Sequence, residues 1–179
     1  MSKNRKKKLE NFLKRFYPTC IYKSVESIPY LFMEENNIKL ILIDMDNTLI
    51  DRNKNYSGEL EKWVDRMKRS GITICIFSNS ISKKTVNEIA KKLKVKCYLN
   101  ARKPFRKGFM EIEKVENVSK ENMLMIGDQL FTDIWGGNRF GIKTILVKPI
   151  SSNEGIHIKM KRPFERYVLK KYEERKGEM

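Results

Sequence analysis

The feature that most constrains this chain is a set of five short, nearly continuous apolar runs. They occupy residues 38–45, 72–77, 95–99, 123–126 and 144–147. A strand with one solvated face alternates apolar and polar residues, whereas unbroken apolarity indicates a strand buried on both faces, as in a parallel sheet. We therefore predict a parallel sheet of five strands.

Segments with helical periodicity separate these runs. Ser57 is placed to cap the first helix, and Gly71 is placed to end it. Further helices are predicted to begin at Ser82, after Pro104 and near Thr132. Alternation of strands and helices indicates a three-layer, doubly wound α/β fold of the Rossmann-like type. In such folds, ligands bind at the carboxyl ends of the strands.

The length of 179 residues favours a single domain with short appendages. We assign the domain to residues 21–150, between a basic amphipathic segment at 1–20 and a basic tail or helix at 151–179. The 38 Lys and Arg residues outnumber the 22 Asp and Glu residues, giving a net charge of +16. Such a surface attracts polyanions: nucleic acid, anionic lipid or phosphorylated substrates.

Three cysteines without zinc-binding spacing favour a reducing compartment. No apolar run approaches the roughly 18 residues that a membrane-spanning helix needs. We therefore expect a cytoplasmic protein. Any contact with a membrane would be peripheral, on its inner face.

Polar and charged side chains follow the predicted strands. They are Asp44, Asp46, Ser78, Asn79, Lys103, Asp128 and Asp133. Each alone is common in turns and helix caps, but together they supply what phosphoryl transfer requires. Carboxylates hold Mg²⁺, a lysine and oriented N–H groups stabilise the transferred group, and one carboxylate can attack phosphorus.

These residues resemble the four motifs of the haloacid dehalogenase superfamily. Residues 44–48 (DMDNT) match the first motif, DxDxT. Ser78 matches the second motif and Lys103 the third, while residues 127–133 (GDQLFTD) match the fourth in its GDxxxxD form. The resemblance implies a capless, magnesium-dependent phosphatase, because the intervals between motifs are too short for an inserted cap domain.

The resemblance also implies a role for each matching residue. Asp44 would be the nucleophile and a Mg²⁺ ligand, and Asp46 would be the general acid and base, with its backbone carbonyl on the metal. Asp128 would be the third protein ligand, supported by Asp133 and Thr48.

The remaining motif residues would hold the phosphate. Ser78, together with Asn79, would bind the transferred phosphoryl group, and Lys103 would neutralise its charge.

Finer features are similar to the subclass IIIA group called YqeG-like and to phosphatidylglycerophosphate phosphatases of mitochondria and plastids. These features are the first motif in the form DMDNTL, the run GDQLFTD, residues 136–139 before Gly141, and residues 22–31. The resemblance implies phosphatidylglycerophosphate as substrate and phosphatidylglycerol as product. Alternatives are a phosphatase of nucleic-acid ends or of a small metabolite and, more remotely, a basic binding protein without catalysis.

Both termini carry amphipathic patterns. Leu9, Phe12, Leu13 and Phe16 share one helical face within a basic segment, and the C-terminal stretch repeats the pattern with Phe164, Tyr167, Val168 and Tyr172. Such helices either lie on anionic lipid or pack on their own domain through the apolar stripe. The sequence leaves both possibilities open and makes nucleic acid the less favoured partner, since no nucleic-acid-binding module is recognisable.

Overall fold

Six parallel strands form one sheet in the computed structural model, which describes residues 3–80, 82–151 and 162–177. Their spatial order is β1-β6-β5-β2-β3-β4. The strands are β1 (Cys20–Tyr22), β2 (Leu40–Ile43), β3 (Thr73–Ser78), β4 (Lys96–Leu99), β5 (Met123–Gly127) and β6 (Lys143–Val147). Chain order reverses direction at β2, which lies between β5 and β3, so a crevice opens above its carboxyl end.

Seven α-helices lie within the described residues. They are α1 (Lys3–Leu13), α2 (Tyr30–Glu35), α3 (Gly58–Arg69), α4 (Lys83–Leu93), α5 (Arg106–Glu116), α6 (Trp135–Phe140) and α7 (Arg162–Gly177). Shorter helical turns occupy Lys14–Phe16, Lys120–Asn122 and Leu130–Ile134.

The predicted α/β fold with a parallel sheet is confirmed, but the sheet has six strands rather than five. The additional strand, β1, pairs with β6 at the sheet edge, with Cys20 opposite Ile145. All three of its residues are half-buried. A three-residue edge strand presents no buried apolar run, which is why hydrophobic patterning missed it.

The predicted helix ends agree with the structure at some positions and not at others. The Ser57 side chain caps α3 by accepting the Leu60 N–H at 3.2 Å. Gly71 follows this helix with φ +78°, a backbone conformation that favours glycine. The fourth expected helix, placed near Thr132, begins only at Trp135 because the preceding Leu130–Ile134 segment forms a π-helical turn.

The two faces of the sheet are covered by different helices. Alternate strand residues such as Ile41 and Ile76 face α2, α3 and α4 in one apolar cluster. The intervening residues, such as Leu42 and Phe77, face α5 and α6 in a second cluster. Every residue of β2 is fully buried, in agreement with the double burial inferred from its unbroken apolarity.

The terminal helices contact the domain through a third apolar cluster. Leu13 and Phe16 from the N-terminal segment and Val168 from α7 are buried against Leu130 and Ile134. Part of each predicted apolar stripe therefore packs on the chain's own domain. Leu9, Phe12 and Tyr167 remain 38%, 44% and 41% exposed. The boundaries 1–20, 21–150 and 151–179 stay predictions, and residues 1–2, 152–161 and 178–179 lie outside the described residues.

The carboxyl edge of the sheet is not covered by an inserted domain in the described part of the chain. Between Asp46 and Ser78 the chain forms a turn, α3 and β3, and between Ser78 and Lys103 it forms α4 and β4. Among the described residues, no helix has the length and apolarity needed to cross a membrane.

Candidate active site

A buried ion-pair cluster lies at the carboxyl edge of the sheet. Asp44 directly follows β2, and its N–H extends the sheet hydrogen bonding to the Ile126 carbonyl of β5 at 2.9 Å. The Lys103 Nζ atom lies 2.5 Å from an Asp44 carboxylate oxygen and 2.8 Å from Asp133 Oδ1. The structure thus brings Lys103 into contact with Asp44, 59 positions earlier in the sequence, and with Asp133, 30 positions later.

Burial and charge act in opposite directions on Lys103. Desolvation lowers the pKa of its ammonium, but the charges of Asp133 and Asp44 and their hydrogen bonds outweigh it, so the pKa is raised above the usual range. Complete burial raises the pKa of Asp133 to about 6, although the Lys103 charge opposes that change. Lys103 is therefore held as a cation at neutral pH.

Three buried carboxylates in this crevice could hold a metal ion. One oxygen each from Asp44, Asp128 and Asp133 lies within 4.8 Å of the others. Carboxylate oxygens are the ligands that hard divalent cations prefer, so the donor set fits Mg²⁺. The set expected from the sequence contained Asp44, the Asp46 carbonyl and Asp128; in the structure, Asp133 joins Asp44 and Asp128.

Thr48 connects the first motif to the fourth. Its hydroxyl donates a hydrogen bond to Asp128 Oδ1 at 3.2 Å, and both side chains are buried. This contact orients a carboxylate of the candidate metal site, as partners behind metal ligands commonly do.

Asp46 lies in a tight turn two residues after Asp44 and is exposed, outside the buried carboxylate group. The turn is closed by the N–H groups of Leu49 and Ile50, which donate to the Met45 carbonyl at 2.9 and 3.2 Å. Partial desolvation raises the pKa of Asp46, the Asp44 charge raises it further, and Lys103 opposes both. A carboxyl with a raised pKa beside a nucleophile is suited to donate and accept protons.

Ser78 and Asn79 occupy the end of β3, as predicted. Ser78 is buried, and its hydroxyl oxygen accepts the Ser80 N–H at 2.9 Å. The Asn79 side chain accepts the backbone N–H of Lys103 and donates to its carbonyl, both at 2.9 Å. Asn79 therefore fixes the loop that delivers Lys103, a structural role that the sequence did not indicate.

Gly127, at the end of β5, makes room for Asp133. A Cβ atom at this position would lie 2.2 Å from Asp133 Oδ2, a distance at which either the carboxylate or the strand would have to move. The same oxygen accepts the Gln129 N–H at 3.1 Å. Gly127 belongs to the fourth motif, but the sequence alone did not indicate why a glycine is needed there.

The geometry therefore places every predicted site residue at one edge of the sheet. Direct contacts join Asp44, Lys103 and Asp133, and a separate contact joins Thr48 to Asp128. The individual catalytic and binding roles remain predictions.

The family model for mitochondrial PGP phosphatases matches residues 2–151 of this chain. The chain belongs to this family. The probable phosphatase YqeG of Bacillus subtilis is 36% identical over 159 residues, covering 88% of this chain and 92% of that protein. The family assignment confirms the resemblance to the YqeG-like and phosphatidylglycerophosphate phosphatase group, and the protein is a phosphatase.

Two more distant relatives extend the comparison. Phosphatidylglycerophosphate phosphatase 1 of Arabidopsis thaliana, chloroplastic/mitochondrial, is 28% identical over 168 residues, covering 87% of this chain but only 47% of that protein. The crystal structure of an uncharacterized Listeria monocytogenes serotype 4b protein superposes with a TM-score of 0.54 at 18% identity, covering 66% of this chain and 85% of that one. The structural match supports the fold alone.

Metal binding by the buried carboxylates predicts a stabilisation that depends on Asp128. Mg²⁺ at a hundred times its dissociation constant should raise the free energy of unfolding by about 2.7 kcal/mol. Asp128→Asn should reduce this gain by more than half in denaturant titrations with and without Mg²⁺. Asp65→Asn, which alters an exposed carboxylate on α3, is the matched control. Equal stabilisation of the two variants would contradict the assignment.

Proposed function

We propose that this chain is a Mg²⁺-dependent phosphomonoester hydrolase that converts phosphatidylglycerophosphate to phosphatidylglycerol at the cytoplasmic surface of a membrane. The observation that carries this proposal is the buried Asp44–Lys103 pair beside the Asp128 and Asp133 carboxylates. It combines a nucleophile, a fixed cation and a candidate metal site in one crevice. These are the components of phosphoryl transfer through an aspartyl-phosphate.

The proposed reaction has two displacement steps. Asp44, Asp128 and Asp133 would hold a Mg²⁺ ion, which would supply positive charge to the transferred phosphate. An Asp44 oxygen attacks phosphorus, the bond to the leaving oxygen breaks, and Asp46 gives its proton to that oxygen. Asp46 then takes a proton from water as the water oxygen attacks phosphorus. The Asp44–phosphorus bond breaks, releasing inorganic phosphate and restoring both carboxyl groups.

Lys103 and the Ser78–Asn79 segment support the same steps. The Lys103 ammonium holds an Asp44 oxygen and faces the position where the transferred oxygens gain charge. Ser78 ends β3 beside that position, and its hydroxyl proton is available because the oxygen acts as acceptor for Ser80. These contacts position the phosphoryl group without taking part in bond making.

The lipid substrate is supported by two observations. The Arabidopsis relative, a phosphatidylglycerophosphate phosphatase, aligns with 87% of this chain. The crevice is also open in the described structure, since neither interval between motifs contains an inserted domain. An open crevice suits a phosphate carried by a large molecule or displayed on a surface.

Exposed aromatic and basic residues support action at a membrane. Leu9 and Phe12 are exposed on α1, within a segment rich in lysine and arginine. Phe105 is 62% exposed and follows Lys103 by two residues, with exposed Arg102 and Arg106 on either side. Apolar groups surrounded by cations favour adsorption to anionic lipid, and each basic residue near the surface contributes about 1 kcal/mol.

A substrate comparison tests the proposed function. Phosphate release should require Mg²⁺ and should be fastest from phosphatidylglycerophosphate in vesicles, compared with 3′-phosphorylated oligonucleotides and p-nitrophenyl phosphate. Asp44→Asn should abolish release from every substrate, because no nucleophile remains. Faster turnover of the oligonucleotide than of the lipid would indicate that the substrate is a nucleic-acid end. Full activity of Asp44→Asn would show that Asp44 is not the nucleophile. Inactivity of the wild type on all substrates would favour a non-catalytic binding protein.

The role of Asp46 predicts a dependence on the leaving group. Asp46→Asn should slow hydrolysis of an alkyl ester such as phosphatidylglycerophosphate by about 10²–10⁴-fold, because its alkoxide leaves only with a proton. It should slow release of the more acidic p-nitrophenol far less. Rates of alcohol release in the first turnover measure the difference, because the later step, in which Asp46 acts as the base, is the same for both substrates. Asp44→Asn provides the comparison that loses both activities alike. Equal losses from Asp46→Asn would contradict general acid catalysis.

Serine substitutions test the membrane contact at single exposed side chains, whereas a truncation of α1 would also remove Leu13 from the third apolar cluster. Phe12→Ser and Phe105→Ser should each weaken binding to phosphatidylglycerol-containing vesicles about tenfold in sedimentation assays, since each removes apolar area. Val115→Ser is the control, because Val115 is 71% exposed in the last turns of α5, about 15 Å along the helix from Phe105. Equal binding by all three variants would contradict this surface.

A further inference from the structure

A groove of about 360 Å³ is lined by Asp46 and by the turn that follows it. Its lining also includes Ile50, Asp51, Arg52, Lys54, Ser80 and Thr85. Its volume lies within the range of about 300–1,000 Å³ typical of small-molecule sites. The attack of Asp44 on phosphorus does not require this groove.

The turn that presents the two cations is held in place by its own hydrogen bonds. The Asp51 N–H donates to the Asn55 carbonyl at 2.9 Å, and the Lys54 N–H donates to the Asp51 carbonyl at 3.0 Å. The Asp51 carboxylate accepts the Asn55 N–H at 2.9 Å. The acidic residue in this turn thus closes the loop, while the backbone on either side of Arg52 is fixed.

Arg52 and Lys54 have no partner of opposite charge in the part of the chain that the structure describes. Both side chains are exposed, and within residues 3–80, 82–151 and 162–177 neither forms an ion pair or a side-chain hydrogen bond. Two unpaired cations beside a groove can bind an incoming anion without first breaking an internal contact. Arginine in particular binds phosphate oxygens through two parallel N–H groups.

The position of Asp46 determines which part of a substrate enters the groove. If Asp46 protonates the leaving oxygen, the alcohol must extend from the transferred phosphate toward Asp46. Asp46 lines the groove, so the alcohol, rather than the phosphoryl group, is the part of the substrate that can enter it. The cations then lie along the path of the alcohol portion.

We propose that the groove is a binding site for a second phosphate, carried on the alcohol portion of the substrate and recognised by Arg52 and Lys54. The substrate class is a phosphomonoester of a short polyol whose other end carries a phosphodiester. This inference rests on the proposed function, because it assumes the role of Asp46 as the proton donor. It makes the short turn after the first motif the element that selects the substrate.

Two soluble substrates separate this inference from membrane binding. One is glycerol 3-phosphate, and the other is the same compound with a methyl phosphodiester on its far hydroxyl. The wild type should have a kcat/KM about tenfold or more higher for the diester analogue, since charge-assisted hydrogen bonds to phosphate are among the stronger ones. Arg52→Gln with Lys54→Gln should remove that preference, mainly through a higher KM for the diester analogue.

The control is Lys91→Gln with Lys92→Gln. It removes the same charge from exposed positions in the last turn of α4, at the opposite end of the helix from the groove. This double variant should keep the wild-type preference. Equal preference in both double variants, or no preference in the wild type, overturns the second-phosphate site. Failure of the proposed function is a separate result: no phosphate release from phosphatidylglycerophosphate vesicles by the wild type.

Discussion

The burial of Lys103 between Asp44 and Asp133 is the interaction on which the rest of the site depends. A buried charge is costly unless it is paired, and removing one partner leaves the other uncompensated. Here the ammonium contacts the carboxylates of Asp44 and Asp133. The Asp128 carboxylate has an oxygen within 4.8 Å of oxygens of both. This concentration of buried carboxylate oxygens would attract a divalent cation, so the electrostatics of the folded chain favour metal binding.

The surrounding structure holds the charged residues of this cluster in position. Lys103 is fixed through its backbone by the Asn79 side chain, which connects the ends of β3 and β4. Asp133 is delivered by a π-helical turn, a widened turn that often occurs at functional sites, into space left by Gly127. Asp44 continues the hydrogen bonding of β2. Each charged group is thus attached to the sheet by contacts that do not involve the charge itself.

The sequence predicted the sheet edge and the residues along it, but not how they contact one another. Unbroken apolarity located β2, β3 and β5, because burial on both faces allows few polar residues. The contact between Asp133 and Lys103 was beyond pattern analysis, since a regular helix starting near Thr132 would direct that side chain elsewhere. The contact of Asn79 with the Lys103 backbone depends on how close two loops lie in the fold. The formation of β1 depends on its pairing with β6 at the edge of the sheet. Both follow from tertiary packing rather than from local sequence.

Substrate selection in this phosphatase must come from short elements. A cap domain would enclose the substrate and contact it on several sides, whereas here the intervals between motifs hold only single helices, strands and turns. The turn around Arg52 follows β2, and the exposed loop around Phe105 follows β4. A phospholipid headgroup substrate requires a polar site that binds its linking phosphodiester. It also requires a protein surface that contacts the surrounding bilayer. With the proposed lipid substrate, the two elements would meet these requirements separately, so selectivity and membrane contact could change independently without altering the buried ion-pair cluster.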